Sequence, residues 1–101
     1  MAYLLQVDFP MEGPFGADMA TAFEGLAQSI NQEAGMQWKI WTENPAAKEA
    51  GGIYLFASEE EAKAYLAMHS QRLTAAGIKN IRSRIFAVNK DLTAINKGPV
   101  N

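Results

Sequence analysis

The stretch from Met36 to Phe56 most limits what this chain can fold into, because it carries both tryptophans on two short strands joined by a turn. Met36-Gln37-Trp38-Lys39-Ile40-Trp41-Thr42-Glu43 is followed by the breaker Asn44-Pro45 and a polar connection, then by Ala50-Gly51-Gly52-Ile53-Tyr54-Leu55-Phe56-Ala57. This pattern reads as a hairpin. Successive side chains of a strand point to opposite faces, so Met36, Trp38, Ile40 and Thr42 share one face and Gln37, Lys39, Trp41 and Glu43 the other. Each face then holds one indole. Large rings on both sides of a sheet require both sides to be covered, one by the chain's own helices and the other most economically by a second copy of the chain.

The 101 residues, 49 % of them hydrophobic, make one domain spanning 1–101. A chain of this size buries only about two-thirds of its unfolded surface, so self-association would add core. With 9 Lys and Arg against 11 Asp and Glu, the net charge of -2 argues against a protein that tracks nucleic-acid phosphates. The absence of cysteine excludes disulfides, thiolate metal sites and cysteine nucleophiles, and fits a reducing cytoplasm. Met1-Ala2-Tyr3-Leu4-Leu5-Gln6-Val7-Asp8 lacks a basic region and meets an acid too early for a signal peptide. No run approaches the roughly 20 apolar residues that span a bilayer, so the expectation is a soluble, cytoplasmic protein without a membrane partner.

Tyr3, Leu5, Val7 and Phe9 alternate with Leu4, Gln6 and Asp8, a half-buried first strand that Pro10 ends. After the turn-rich Met11-Glu12-Gly13-Pro14-Phe15-Gly16, the stripe Met19, Phe23, Leu26, Ala27 and Ile30 predicts one amphipathic helix, with Asp18 at its start and Gly35 as its left-handed stop. Gly25 inside that helix implies close packing against a neighbour. Ser58-Glu59-Glu60-Glu61 is a capping box that opens a second helix, whose buried stripe is Ala62, Tyr65, Leu66, His69 and Leu73 and whose stop is Gly77. A fourth strand follows within Ile78–Val88, then a helical turn with Leu92 and Ile95 and a flexible tail from about residue 97 to 101. Two strand-helix-strand halves with right-handed crossovers form an α+β, ferredoxin-like βαββαβ plait with a four-stranded antiparallel sheet and both helices on one face. Leu4, Trp41, Tyr54, Phe56 and part of the fourth strand are then placed on the open face as a dimer surface, although a slip of one residue exchanges the two faces of a strand.

Gly51-Gly52-Ile53-Tyr54-Leu55-Phe56, the capping box with Ala62, and Tyr65-Leu66 before His69 resemble the dimeric α+β barrel superfamily that includes antibiotic-biosynthesis-type monooxygenases. Gly13-Pro14-Phe15-Gly16, Ser29-Ile30-Asn31-Gln32-Glu33 with Gly35, and Trp38-Lys39 with Trp41-Thr42-Glu43 are more closely similar to small bacterial YdhR-type proteins of that superfamily. The resemblance runs from the first strand to Ile95-Asn96. It implies a homodimer whose open sheet faces close a barrel, with a pocket in each subunit between sheet and helices. It also implies oxidation of a small aromatic or quinol-type compound with molecular oxygen and no flavin, haem or metal cofactor. No catalytic motif carries over residue by residue.

The candidates follow from what such chemistry needs: an electron-rich anion, a group that handles its proton, and a dry pocket. His69, the lone histidine, lies on the helix face that looks inward and has an ordinary pKa near neutrality, so it is the catalytic candidate; a core histidine hydrogen-bonded to backbone or to Tyr65 is the simpler explanation. Trp38 is a candidate flat wall for a planar ligand, or ordinary core. Arg84, beside Arg82 on one strand face, can stabilise an oxyanion or serve in an inter-subunit ion pair. Asn31 can orient a hydroxyl at the pocket mouth or simply end a helix, and Tyr65 can bind substrate or support His69. One histidine and scattered acids make no metal site. A non-catalytic dimer that binds a small hydrophobic molecule remains the alternative, with a haem protein ligated through His69 more distant and RNA binding more distant still.

Overall fold

The computed structural model describes residues 1–100. Its elements are β1 (Tyr3–Pro10), α1 (Gly16–Ala22), α2 (Glu24–Ile30), β2 (Met36–Asn44), β3 (Glu49–Phe56), α3 (Glu59–Ala75), β4 (Arg82–Ala87) and α4 (Lys90–Ile95). The four strands pair antiparallel in the order β2-β3-β1-β4, which is the ferredoxin-like plait expected from the element order. The alternation of β1 sends Leu5, Val7 and Phe9 into the core. On α3, Ala62, Tyr65 and His69 are buried, the stripe that the heptad-like spacing marks.

The ends of α3 are fixed locally. Ser58 Oγ accepts from the Glu61 amide at 3.2 Å and donates to the Glu61 carboxylate at 2.9 Å. At the other end Gly77 takes φ +93°, and the Ile78 amide bonds back to the Leu73 carbonyl while the Gly77 amide bonds to Thr74. That paired turn places Leu73 and Ile78 together, both against the cavity described below.

Three expectations are corrected. The helix expected to run unbroken from Asp18 is two helices, because Phe23 leaves helical geometry at φ -108° and ψ 11° between α1 and α2. Gly25 is not tightly packed, since a Cβ there would meet open space. The third correction concerns the phase of β2. The register with β3 shifts between Met36 and Trp38, so Gln37 is an extra residue and every later side chain of β2 changes face relative to Met36. Met36 stays with the helices, while Trp38, Ile40 and Thr42 fall on the opposite face, opposite Leu55, Ile53 and Gly51. Lys39 and Trp41 instead face the helices, across from Tyr54 and Gly52. Tyr54 and Phe56 are core residues, at 1 % and 0 % exposure. Of the four residues assigned to the open face, only Leu4 lies there, beside Phe86 and Leu55.

The open face carries Leu4, Gln6, Asp8, Ile53, Ile40, Trp38, Arg82, Arg84 and Phe86. The C-terminal segment is held as far as Val100: the Trp38 indole donates to the Pro99 carbonyl at 2.9 Å, and Val100 is buried. Asn101, the last residue of the expected tail, lies outside the described residues.

Candidate active site

Between the inner face of the sheet and the helices lies a cavity of about 320 Å³, where the family resemblance places a pocket. β1 and the two short helices line it with Val7, Phe9, Met19, Phe23 and Leu26, and α3 closes it with Leu73. Its polar side chains come from Lys39 and Trp41 on β2, Tyr54 on β3, and His69 and Arg72 on α3. No aspartate or glutamate lines it among the described residues. An apolar cavity with a few convergent polar groups is the usual form of a small-molecule site.

The floor is aromatic. Trp41 stacks on Phe23 with ring centroids 6.1 Å apart and planes 14° from parallel. The Lys39 ammonium sits 3.4 Å from the centre of the Trp41 ring and 4.6 Å from that of Tyr54. Glycine makes this arrangement possible: a Cβ on Gly52 would lie 2.6 Å from Lys39 Cε and 3.2 Å from Tyr54. At Gly51 a Cβ would fall 2.0 Å from the Val7 carbonyl oxygen, so the Gly51-Gly52 pair marks a close backbone approach. Burial and, secondarily, the neighbouring Arg72 cation push the Lys39 amine down to about 7, where a large fraction is neutral at physiological pH.

His69 is 3 % exposed and stacks on Tyr65, with centroids 5.0 Å apart and planes 22° from parallel. Its Nδ1 lies 3.3 Å from Arg72 Nε and 2.9 Å from Nη2. A guanidinium only donates, so Nδ1 accepts and the proton of the neutral ring is on Nε2. Burial first, then the Arg72 and Lys39 charges, push the imidazole down to about 4. His69 is therefore a neutral donor near pH 7 and a poor base. Behind it, Tyr65 donates to the Tyr54 hydroxyl at 3.1 Å, and burial raises the titration of both phenols.

Of the residues singled out in the sequence, His69 lines the cavity and Tyr65 supports it from behind. Trp38 and Arg84 do not reach it. Trp38 is on the opposite face of β2 with its indole on Pro99, and Arg84 stands opposite Gln6 on that same face, its guanidinium 5.2 Å from the Phe86 ring centre. Asn31 is the exposed residue closing α2. Lys39, Trp41, Tyr54 and Arg72 were not among the sequence candidates. Arg72 was accessible from spacing, since residues three apart on a helix are neighbours and it follows His69 by three. Lys39 and Trp41 were hidden by the bulge. Among the described residues no three His, Cys, Asp or Glu side chains gather as metal ligands.

The sequence model of the family described as "Putative mono-oxygenase ydhR" matches residues 4–99. No curated protein matches the chain by sequence. Among solved structures, the fold is similar to SnoaB, a cofactor-independent oxygenase from Streptomyces nogalater, with a TM-score of 0.62 and 14% identity, covering 87% of this chain and 93% of that one. A monooxygenase from the gene ActVA-Orf6 of Streptomyces coelicolor, in complex with the ligand nanaomycin D, gives a TM-score of 0.61 at 14% identity, covering 87% and 88%. A protein of unknown function from Nitrosomonas europaea gives 0.62 at 18% identity, covering 87% and 89%.

Proposed function

The chain belongs to the family described as "Putative mono-oxygenase ydhR", and from that membership we propose that it oxidises a small aromatic or quinol-type compound with molecular oxygen in the cavity between sheet and helices, without flavin, haem or metal. The observation that carries this reading is the cavity itself: apolar walls, an aromatic floor of Trp41 and Tyr54, basic side chains at one side and no acid. Such a site admits a planar ring, excludes water and favours a ring that has become an anion.

The reaction closes without an outside reductant. A phenol with a free ring position opposite its hydroxyl loses its proton, and the electron-rich ring forms a carbon–oxygen bond with O2. Cleavage of the resulting peroxide leaves one oxygen atom on the ring as a second carbonyl and releases the other as water. The quinone product has given up the four electrons that the two oxygen atoms received. His69, neutral and protonated on Nε2, suits a hydrogen-bond donor to a developing oxygen anion, with Arg72 fixing its ring from the other side.

The working unit in this proposal is a homodimer joined through the open sheet face. Ile40 is 54 % exposed and Phe86 38 % there, and the following α4 presents Leu92 at 61 % and Ile95 at 74 %. Large apolar side chains left to water, two of them on the open sheet face, favour a second copy as cover.

Oxygen uptake by the metal-stripped protein against a panel of naphthols and polycyclic phenols with a free ring position opposite the hydroxyl tests the proposal. Uptake with one atom of isotopically labelled oxygen in the product and one in water is expected. Compounds that bind tightly while none draws oxygen would make the protein a binding module instead.

A further inference from the structure

We propose that the cavity takes its aromatic ligand as a phenolate, with Lys39 as the catalytic residue that accepts the phenolic proton and Arg72 as the fixed cation that holds the oxyanion. The inference deepens the oxygenase reading and rests on the cavity being its substrate site. It starts from an imbalance. Lys39 and Arg72 both line the cavity, and neither has a carboxylate partner among the described residues: the ion pairs of the chain are Lys48 with Glu12, Lys63 with Glu59 and Arg82 with Glu49, all on the surface. Half-buried basic groups facing an acid-free apolar space leave the negative partner to be supplied by a ligand.

The two cations are placed for different tasks. Arg72 spends donors on His69 Nδ1 and is anchored on α3. Lys39 is held by ring faces alone, over Trp41 and Tyr54, with Gly52 clearing the space its chain occupies. A planar ligand lying along the same aromatic floor meets the amine at its edge.

The titration agrees with that geometry. Around Lys39 stand Trp41 on its own strand, Tyr54 across the sheet, and His69 and Arg72 from α3; of these only Arg72 is charged near neutrality, and it acts with burial to bring the amine down to about 7. A phenol entering beside the neutral amine transfers its O–H proton to Nζ, the O–H bond breaking as the N–H bond forms. The result is a phenolate between an ammonium and a guanidinium, with no net proton exchanged with water. The new anion restores the affinity of the amine for its proton, which drives the transfer. The ring is then electron-rich enough for oxygen.

Alizarin, a planar anthraquinone phenol that turns from yellow to red on ionisation, is the probe, bound to metal-stripped full-length protein. The bound dye is expected to ionise at a pH at least about one unit below the free dye. Lys39→Met, which keeps an apolar chain of similar length, should reverse most of that shift and weaken binding about tenfold. Lys39→Arg should keep the red bound dye, because its charge is permanent, yet lose turnover on any phenol the native protein oxidises. In the native protein kcat/KM should rise with pH through about 7 as the amine loses its proton, and any residual turnover of Lys39→Met should lack that rise. Dye that binds yellow, or turns equally red in Lys39→Met, overturns the proposal. So does turnover with an unchanged pH profile in Lys39→Met, which would leave the oxygenase reading standing. A Lys39-dependent red shift with no oxygen uptake on any phenol supports the phenolate site and removes the oxygenase reading instead.

Discussion

Trp38 and Trp41 stand three residues apart on one strand and do opposite work. Trp41 faces inward, stacked on Phe23 with the Lys39 ammonium over its ring and that of Tyr54, and forms the floor of a cavity. Trp38 faces outward and ties its indole N–H to the Pro99 carbonyl of the C-terminal segment. The two faces of the sheet differ in the same way. The inner face gathers ionisable side chains in an apolar cavity, whereas the outer face carries the exposed Ile40 and Phe86 beside half-buried apolar groups, with Arg82 and Arg84 among them. Chemistry needs the first kind of place and association the second, and one bulge at Gln37 decides which tryptophan serves which.

That comparison can be broken most forcefully from the inside. Tyr54 touches Phe56, Tyr65 and His69 by its ring and Tyr65 by its hydroxyl. Tyr54→Ala should cost about 3–5 kcal/mol in chemical denaturation, the range for removing a buried large aromatic. A loss no greater than that of a surface change would show that the inner face is not the core.

Acid sharpens the contrast by acting on the inner face alone. The folded His69 imidazole titrates at about 4 against 6.5 in the unfolded chain, with Arg72, Lys39, Tyr54 and Tyr65 around it. The unfolded state binds more protons between those values, so the contribution of His69 to stability is complete above about 6.5 and falls as pH drops toward 4, by on the order of 3 kcal/mol. Thermal melts across that window check this, and His69→Gln should flatten the slope.

On the outer face, Ile40→Glu places a charge in the proposed contact between copies. Sedimentation should show the dimer dissociating at least about tenfold more readily, ~1.4 kcal/mol, while ligand binding inside each subunit survives. A native chain that sediments as a monomer at all concentrations would remove the dimer from the account. Trp38→Phe is the mildest change: loss of one half-exposed hydrogen bond should cost about 0.5 kcal/mol and leave cavity affinity untouched.

The sequence carried the architecture well. Alternation in β1, the capping box at Ser58, the stop at Gly77 and the spacing of Tyr65 and His69 are local signals, and each holds in the structure. The cavity was legible only in outline, because its floor depends on which face of β2 looks inward. Strand phase has a period of two, so one inserted residue reverses every assignment beyond it, and nothing in Met36-Gln37-Trp38 announces the bulge. His69 was within reach because helix phase was set by many residues on α3, and Arg72 was within reach for the same reason. Lys39 was not, since a lysine on a strand beside a tryptophan reads as a solvated residue until its neighbours across the sheet are known to be Tyr54 and Gly52.

The central claim is that ligand binds on the Trp41 face. Heteronuclear NMR resolves the two indole N–H signals of this chain, and a titration with alizarin follows both at once. The Trp41 signal should shift progressively while the Trp38 signal, bonded to Pro99, stays in place. Movement of Trp38 with Trp41 unmoved would put the ligand on the open face and contradict the account.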